Sequence, residues 1–451
     1  MNKVALRANI TMLIALLLLG GFVFFLVEYA VNADDWIVFN GSPHVYNGGN
    51  IGTGVVTDRD GYLLLNMNDG RDYSSSEALR KSTVHWVGDR KGSVNAPALS
   101  HYSAEMSGYD LVSGVYVYGD AGGVAKLTLS AVAQEAALKA LGNKKGTVGV
   151  YNYETGELLC AVSTPTFDPD NIPEVTEDLE GMYLNRFTQS VYIPGSIFKV
   201  VTLAAALETM PQIQEQKFSC DSTYKIGSDK ITCEYAHGNQ TLKKAFRNSC
   251  NCAFAQIAQQ LGGDTLETYA KQFGIVGSLE FDGITTASGN FEAAGAADVN
   301  VAWSGIGQYN DQVNACNFMT FMGAIARGGR GVTPYLVENI SVGSNTTYRA
   351  RHKNNDRIMS ESTAELLQEY LMFNVTDKYG AENFKGMTVG AKTGTGEVGG
   401  GKKPNAVLAG FVEDEQTPLA FIVMVEDGGY GAEICIPIIS KVLTACKDVV
   451  N

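Results

Sequence analysis

The most uneven feature of the hydrophobic pattern is a run from Ile10 to Val27 (ITMLIALLLLGGFVFFLV) with no charge and one hydroxyl, Thr11. At roughly 18 residues it is long enough for a helix to cross a bilayer core. Lys3 and Arg7 precede it, and Glu28, Asp34 and Asp35 follow. Positive-inside asymmetry predicts a cytoplasmic N-terminus and places everything after Val31 outside. Val31-Asn32-Ala33 resembles a small-x-small cleavage site, but signal-peptide cores run only ~7–15 apolar residues, so a retained anchor is the favoured reading. No second run of this kind follows.

Residues 32–124 are rich in Gly, Tyr and Ser with short alternating apolar pieces; Gly54–Thr57 and Tyr62–Leu65 read as a hairpin around Asp58-Arg59-Asp60-Gly61. From Leu127 the texture changes. Ser130 is placed to cap a helix (AVAQEAALKAL) ending before Gly142, and Gly146–Tyr153 and Glu157–Ser163 read as strands joined by a turn at Glu154-Thr155-Gly156. Helices are expected at Gly195–Leu207, over most of Thr241–Gly274 with breaks at Asn248-Ser249 and Gly262-Gly263-Asp264, and at Asn317–Ala326. Strands return at Met387–Thr393, Ala406–Val412 and Leu419–Glu426, before a last helix at Ile436–Ala445. This order predicts an α+β fold: an antiparallel sheet flanked by helices, with an all-helical part inserted. The chain divides into an anchor (1–31), a small β-rich membrane-proximal spacer (32–124) and a large domain (125–451).

The 451 residues are 45% hydrophobic, which excludes a disordered chain. A formal net charge of −14 with no basic run argues against nucleic acid as a partner. Of the eight cysteines, Cys220 and Cys233 flank an alternating stretch around Gly227-Ser228-Asp229 that reads as a hairpin. They are the best disulfide candidates, a bridge worth roughly 3 kcal/mol by loop entropy. Cys160, Cys316, Cys435 and Cys446 sit in apolar stretches and read as buried thiols. Cys250-Asn251-Cys252 is too tight for a zinc knuckle without a second pair and nearby histidines, and the five histidines are scattered, most of them expected at the surface. No metal or cofactor is expected.

Three short patterns carry chemistry: Ser196-Ile-Phe-Lys199, Ser249-Cys-Asn251 and Lys392-Thr-Gly394. Ser196 follows Pro194-Gly195 at a helix start, with its hydroxyl at the positive end of the dipole and Lys199 one turn on. A buried lysine near other cations loses its charge and serves as base to a serine. Alone, S-x-x-K is a helix cap with a solvated lysine, and Ser222-Thr-Tyr-Lys225 in the hairpin is read that way. Similarly, Ser93-Val-Asn95 and Ser288-Gly-Asn290 match S-x-N but read as loops; only the Ser249 copy lies in an apolar helical block. There a hydroxyl can relay a proton and an amide can hold a substrate amide. Lys392 and Gly394 share a strand face. Lys392 brings charge, Gly394 leaves room for a substrate backbone, and the N–H groups of Ser196 and Thr395 form a pair for an oxyanion. Gly394-Thr-Gly396-Glu-Val-Gly399 also fits G-x-G-x-x-G, but a strand follows and no βαβ unit can form.

These three patterns are a known set of penicillin-binding proteins and serine β-lactamases. At these residues the chain resembles a class B penicillin-binding protein, a monofunctional membrane-anchored peptidoglycan transpeptidase. Lys126-Leu-Thr-Leu129, Glu154-Thr-Gly-Glu-Leu-Leu159, Ser163–Asp170, Asn185-Arg186, Tyr192–Lys199, Gly305-Ile-Gly-Gln308 and Ala326-Arg-Gly-Gly329 extend the resemblance over about residues 125–445. It implies a five-stranded sheet, acylation of Ser196 with Lys199 as base, Ser249 and Asn251 in proton transfer and substrate holding, and Lys392, Thr393 and Thr395 at the substrate carboxylate and oxyanion. It further implies D-Ala-D-Ala stem peptides as substrates, β-lactams as covalent ligands, and a place in the bacterial cell membrane with the catalytic domain outside. The spacer is too short for a glycosyltransferase, so the resemblance implies a separate SEDS-type partner for strand polymerisation. Two departures stand out. Val407-Leu408-Ala409 occupies a strand where the family commonly has an aromatic pair, and Cys250 fills the middle of S-x-N. A β-lactamase or D,D-carboxypeptidase shares the acylation chemistry, and a non-catalytic scaffold for cell division or elongation is the reading from another class.

Overall fold

The computed structural model describes residues 2–38, 46–47, 50–68, 70–110, 115–116 and 122–450. Helix α1 (Asn2–Ile37) contains the apolar run, and its membrane-length window is entirely unburied by the rest of the protein. The central sheet has five antiparallel strands: β1 (Gly146–Asn152), β2 (Leu158–Thr164), β3 (Val389–Gly396), β4 (Asn405–Val412) and β5 (Leu419–Val425). Their order is β2-β1-β5-β4-β3, which puts β3 at an edge.

Both faces of this sheet are buried, and the period of two sorts its residues between two cores. On β5, Leu419, Phe421, Val423 and Val425 face one core while Ala420, Ile422 and Met424 face the other. The first core is covered by α2 (Ala131–Leu141), which Ser130 caps by accepting a hydrogen bond from the Ala133 amide, and by the C-terminal helix. The opposite face is covered by a helical block: α3 (Lys199–Thr209), α4 (Asn251–Leu261), α5 (Ala315–Ala326) and α6 (Glu361–Asn374). The C-terminal helix, α7 (Gly431–Val450), starts earlier than the sequence suggests because it continues through Pro437. Proline removes one internal hydrogen bond, and burial of Cys435, Ile439 and Val442 against the sheet outweighs that loss.

A second sheet has six strands in the order Asn345–Arg349, Val337–Val342, Val124–Leu127, Val55–Thr57, Leu63–Asn66, Asp72–Tyr73. The expected hairpin forms its inner part, and Val124–Leu127 lies between a parallel and an antiparallel neighbour. Early and late segments are thus interleaved. Arg80 grips Asp168 in a bidentate pair, each N···O distance 2.7 Å, and Trp86 donates to the Ala161 carbonyl at 2.7 Å.

His85, on the helix Glu77–Val87, is 2% exposed rather than at the surface, and its Nε2 lies 2.8 Å from the Met182 carbonyl. Burial pulls its pKa down to about 4. The unfolded chain therefore holds more protons between the ordinary histidine value and about 4. Stability is full above pH ~6.5 and falls as pH drops through that window, by roughly 3 kcal/mol from this group. His85→Gln keeps a donor for Met182 and does not titrate. Urea unfolding of the two chains from pH 7 to pH 4 should show their stability difference changing by that amount.

Candidate active site

The nucleophile turn is built by close backbone packing. Gly195 has φ +54°, and a Cβ there would lie 2.3 Å from the Thr395 carbonyl oxygen, so the turn rests directly on β3. A 3-10 turn over Gly195–Phe198 then feeds α3, with Ser196 at its start. Gly394 has a related role, different from the one its sequence suggests. The space its side chain would need is taken by the Pro194 carbonyl at 2.5 Å, so it admits the nucleophile turn rather than a substrate backbone.

Lys199 is fully buried, and its Nζ lies 2.8 Å from Ser196 Oγ, 2.7 Å from the Ser249 carbonyl, 3.1 Å from Ser249 Oγ and 2.7 Å from Asn251 Oδ1. The Asn251 amide orientation is fixed because its Nδ2 donates to the Thr232 carbonyl at 2.8 Å. Burial lowers the Lys199 pKa to about 7. A neutral amine has two N–H donors, and two acceptor-only partners, the Ser249 carbonyl and Asn251 Oδ1, use them. Its lone pair is then left for the Ser196 hydroxyl.

Ser249 sits between the helix Leu242–Arg247 and α4 in the left-handed region, φ +56°, a conformation that costs of order 1–3 kcal/mol for a non-glycine residue. Its Oγ lies 3.1 Å from Lys199 Nζ and accepts from Lys392 Nζ at 3.0 Å, so one hydroxyl joins the two lysines. Lys392 is also fully buried and donates to the Thr393 carbonyl at 2.9 Å. Burial, with Lys199 and Lys378 nearby, pushes its pKa well below the usual lysine value.

A cavity of about 890 Å³ runs past Ser196, Asn251, Thr393, Thr395 and Tyr430. The structure thus brings together Ser196, Lys199, Ser249, Asn251 and Lys392, with Thr393 and Thr395 on the cavity wall and Gly394 beneath. Two further residues reach the site: Tyr379, which the sequence reading does not name, and Gln308, which it names only within the segment Gly305-Ile-Gly-Gln308. The Tyr379 hydroxyl lies 3.0 Å from Thr393 Oγ1 and accepts from the Thr393 amide at 3.1 Å; Gln308 donates to the Thr395 carbonyl at 3.4 Å. Tyr379 ends a π-helical turn, Val375–Tyr379, a local geometry with no clear sequence signal.

The Cys220–Cys233 disulfide is not formed. The hairpin between them exists (Thr223–Ile226 with Asp229–Thr232), but both residues are free thiols. Their neighbours explain it: Cys220 Sγ is 3.3 Å from His237 Nδ1, and Cys233 Sγ lies 3.6 Å from Cys252 Sγ and 3.8 Å from Cys250 Sγ. Cys160, Cys316, Cys435 and Cys446 are buried free thiols.

A serine at a helix start, within hydrogen-bond reach of a buried lysine instead of a histidine and joined through a second serine to a second lysine, is an arrangement suited to serine acyl transfer. Residues 146–444 match the penicillin binding protein transpeptidase domain. The chain belongs to this family of serine-type peptidoglycan transpeptidases. It is 28% identical over 341 residues to the peptidoglycan D,D-transpeptidase PbpA of Mycolicibacterium smegmatis, covering 68% of each chain. It is 26% identical over 386 residues to the stage V sporulation protein D of Bacillus subtilis, covering 80% of this chain and 57% of that protein. The fold matches penicillin-binding protein A from M. tuberculosis in a ceftriaxone acyl-enzyme complex, with a TM-score of 0.75 at 23% identity over 87% of this chain and 98% of that one. The chain spans only 57% of the second relative's length.

Proposed function

We propose that this chain is a peptidoglycan D,D-transpeptidase acylated at Ser196. The observation that carries the proposal is the 2.8 Å approach of the buried Lys199 amine to Ser196 Oγ, with its N–H donors used elsewhere. Lys199 accepts the hydroxyl proton as Ser196 attacks the carbonyl between the two D-Ala residues of a stem peptide. The oxyanion forms against the amides of Ser196 and Thr395. On collapse the C–N bond breaks, and Ser249, linked to both lysines, passes a proton to the departing D-Ala amine. An amine of a neighbouring strand then attacks the ester, gives up a proton along the same route, and restores Ser196 with a new amide cross-link. Lys392, Thr393 and Thr395 hold the donor carboxylate, and β-lactams acylate the same serine. Helix α1 anchors the chain in a bacterial cell membrane, with Lys3 and Arg7 placing the N-terminus in the cytoplasm and the catalytic part outside. A SEDS-type glycosyltransferase supplies the polymerised strands.

The test is intact mass after incubating the full chain in detergent with a labelled penicillin. An adduct stable for hours is expected. Rapid loss of the label indicates a β-lactamase, and no adduct at all leaves a scaffold and overturns the proposal. The initial acylation rate should also rise with pH. With a Lys199 pKa of about 7, the neutral fraction grows about 10-fold from pH 6 to pH 8, and the stopped-flow acylation rate should follow it with a midpoint near 7.

A further inference from the structure

Beside the catalytic group, four metal-binding side chains converge. The Sγ atoms of Cys220, Cys233 and Cys250 and a ring nitrogen of His237 all lie within 4.8 Å of one another. They come from four places: the end of the strand Lys217–Cys220, the residue after the strand Asp229–Thr232, the residue before the strand Gly238–Thr241, and the cap of α4. Ligands at ~2.3 Å (sulfur) and ~2.0 Å (nitrogen) around a tetrahedral ion lie roughly 3.5–3.8 Å from each other. Cys220 Sγ is 3.3 Å from His237 Nδ1, and Cys233 Sγ is 3.8 Å from Cys250 Sγ. A sulfur–sulfur bond would need ~2.05 Å. The spacing is that of ligands around an ion.

The surroundings suit thiolates. The Cys252 amide donates to Cys233 Sγ and the Ala253 amide to Cys250 Sγ, each at 3.4 Å, the latter at the positive end of α4. Cys220 and Cys250 are buried, while Cys233 and His237 are partly open and line the active-site cavity, which provides an entry path. Cys252 Sγ lies outside the four-atom group.

We infer that Cys220, Cys233, His237 and Cys250 form a tetrahedral site for a structural zinc ion. Three thiolates and an imidazole are soft donors that favour zinc over magnesium or calcium, and four protein ligands leave no open position for substrate. Binding forms three Zn–S bonds and one Zn–N bond and releases the three thiol protons to solvent. This proposal departs from the expectation of no metal. Cys250 and Cys252 are too close in sequence to chelate alone, but the fold adds a second pair and a histidine. The ion also has a positioning role. Cys250 lies between Ser249 and Asn251, both of which contact Lys199, and Asn251 Nδ2 is bound to Thr232, next to Cys233. The ion ties the hairpin to the start of α4 and holds the unfavourable backbone of Ser249. This role rests on the function proposed above; the metal site does not.

The test uses the reduced full chain in detergent, stripped with a chelator and titrated with Co²⁺, then Zn²⁺. One equivalent of Co²⁺ should give thiolate charge-transfer and intense tetrahedral d–d bands, and Zn²⁺ should abolish them. Cys220→Ser and His237→Ala should each weaken binding by about 100-fold or more, while Cys252→Ala still binds one equivalent. Stripping the unaltered chain should slow penicillin acylation about 10-fold, and Zn²⁺ should restore it. Absence of the cobalt bands at micromolar metal, or cluster cysteines recovered as disulfides in the chain as isolated, would overturn the site. An acylation rate unchanged by stripping would overturn the positioning role. Metal binding without acylation defeats only the Ser196 proposal, and acylation without metal binding defeats only the zinc site.

Discussion

A Ser196→Ala chain is expected to form no covalent adduct with a labelled penicillin, at any pH or incubation time, where the unaltered chain is labelled to one equivalent. The loss should be complete because the acylated atom itself is removed, and no second hydroxyl replaces it. Ser249 Oγ also contacts Lys199, but it lies between Lys199 at 3.1 Å and Lys392 at 3.0 Å. The substitution should leave the fold intact, since alanine suits the helix start and Lys199 keeps its bonds to Ser249 and Asn251. Intact mass with a thermal unfolding curve on the same sample separates lost chemistry from lost structure. Labelling of the alanine chain would assign the nucleophile elsewhere.

Lys199→Met should slow acylation by about 10²–10⁴-fold, the range for removing a positioned general base, while the end-point still approaches one equivalent given time. Methionine fills most of the space, so the change isolates the amine. Two part-buried acceptors on the cavity wall, the Ser249 carbonyl and Asn251 Oδ1, lose a donor, at no more than about 1–3 kcal/mol each; relief from burying an ionisable amine offsets part of this. Lys199→Arg keeps a cation but does not deprotonate. If Lys199 acts as a base, arginine should be as slow as methionine. If it acts only through its charge, arginine should retain most of the rate. Burst kinetics of penicillin uptake at pH 8 distinguish the two.

The three short patterns of the candidate site are legible in the sequence because each is local or lies on an unambiguous element. Ser196 and Lys199 are one turn apart, and Lys392 to Thr395 continue a strand whose neighbours are apolar on both faces. The β1–β2 pair and α2 were legible through the cap at Ser130 and the turn at Glu154-Thr155-Gly156. What was not legible depends on groups meeting across elements. Tyr379 reaches Thr393 from a π-helical turn, and Gly394 proves to accommodate Pro194 rather than substrate. The Cys220, Cys233, His237 and Cys250 group is spread over three strand ends and a helix cap, so no spacing rule finds it. The start of α7 was missed because a proline normally ends a helix, and only burial against the sheet reveals that this one does not.

The interleaved six-stranded sheet also sets an order of events in time. Val55–Thr57 and Leu63–Asn66 leave the ribosome early, yet their neighbour Val124–Leu127 has its other edge paired only by Val337–Val342. The part made first is therefore completed late, after Ser196, Ser249 and the helices α3 to α5 have been synthesised. Until then an unpaired edge is exposed to other strands. The Gly- and Ser-rich composition of this early segment, poor in long apolar strands, suits a piece of chain that must wait without aggregating.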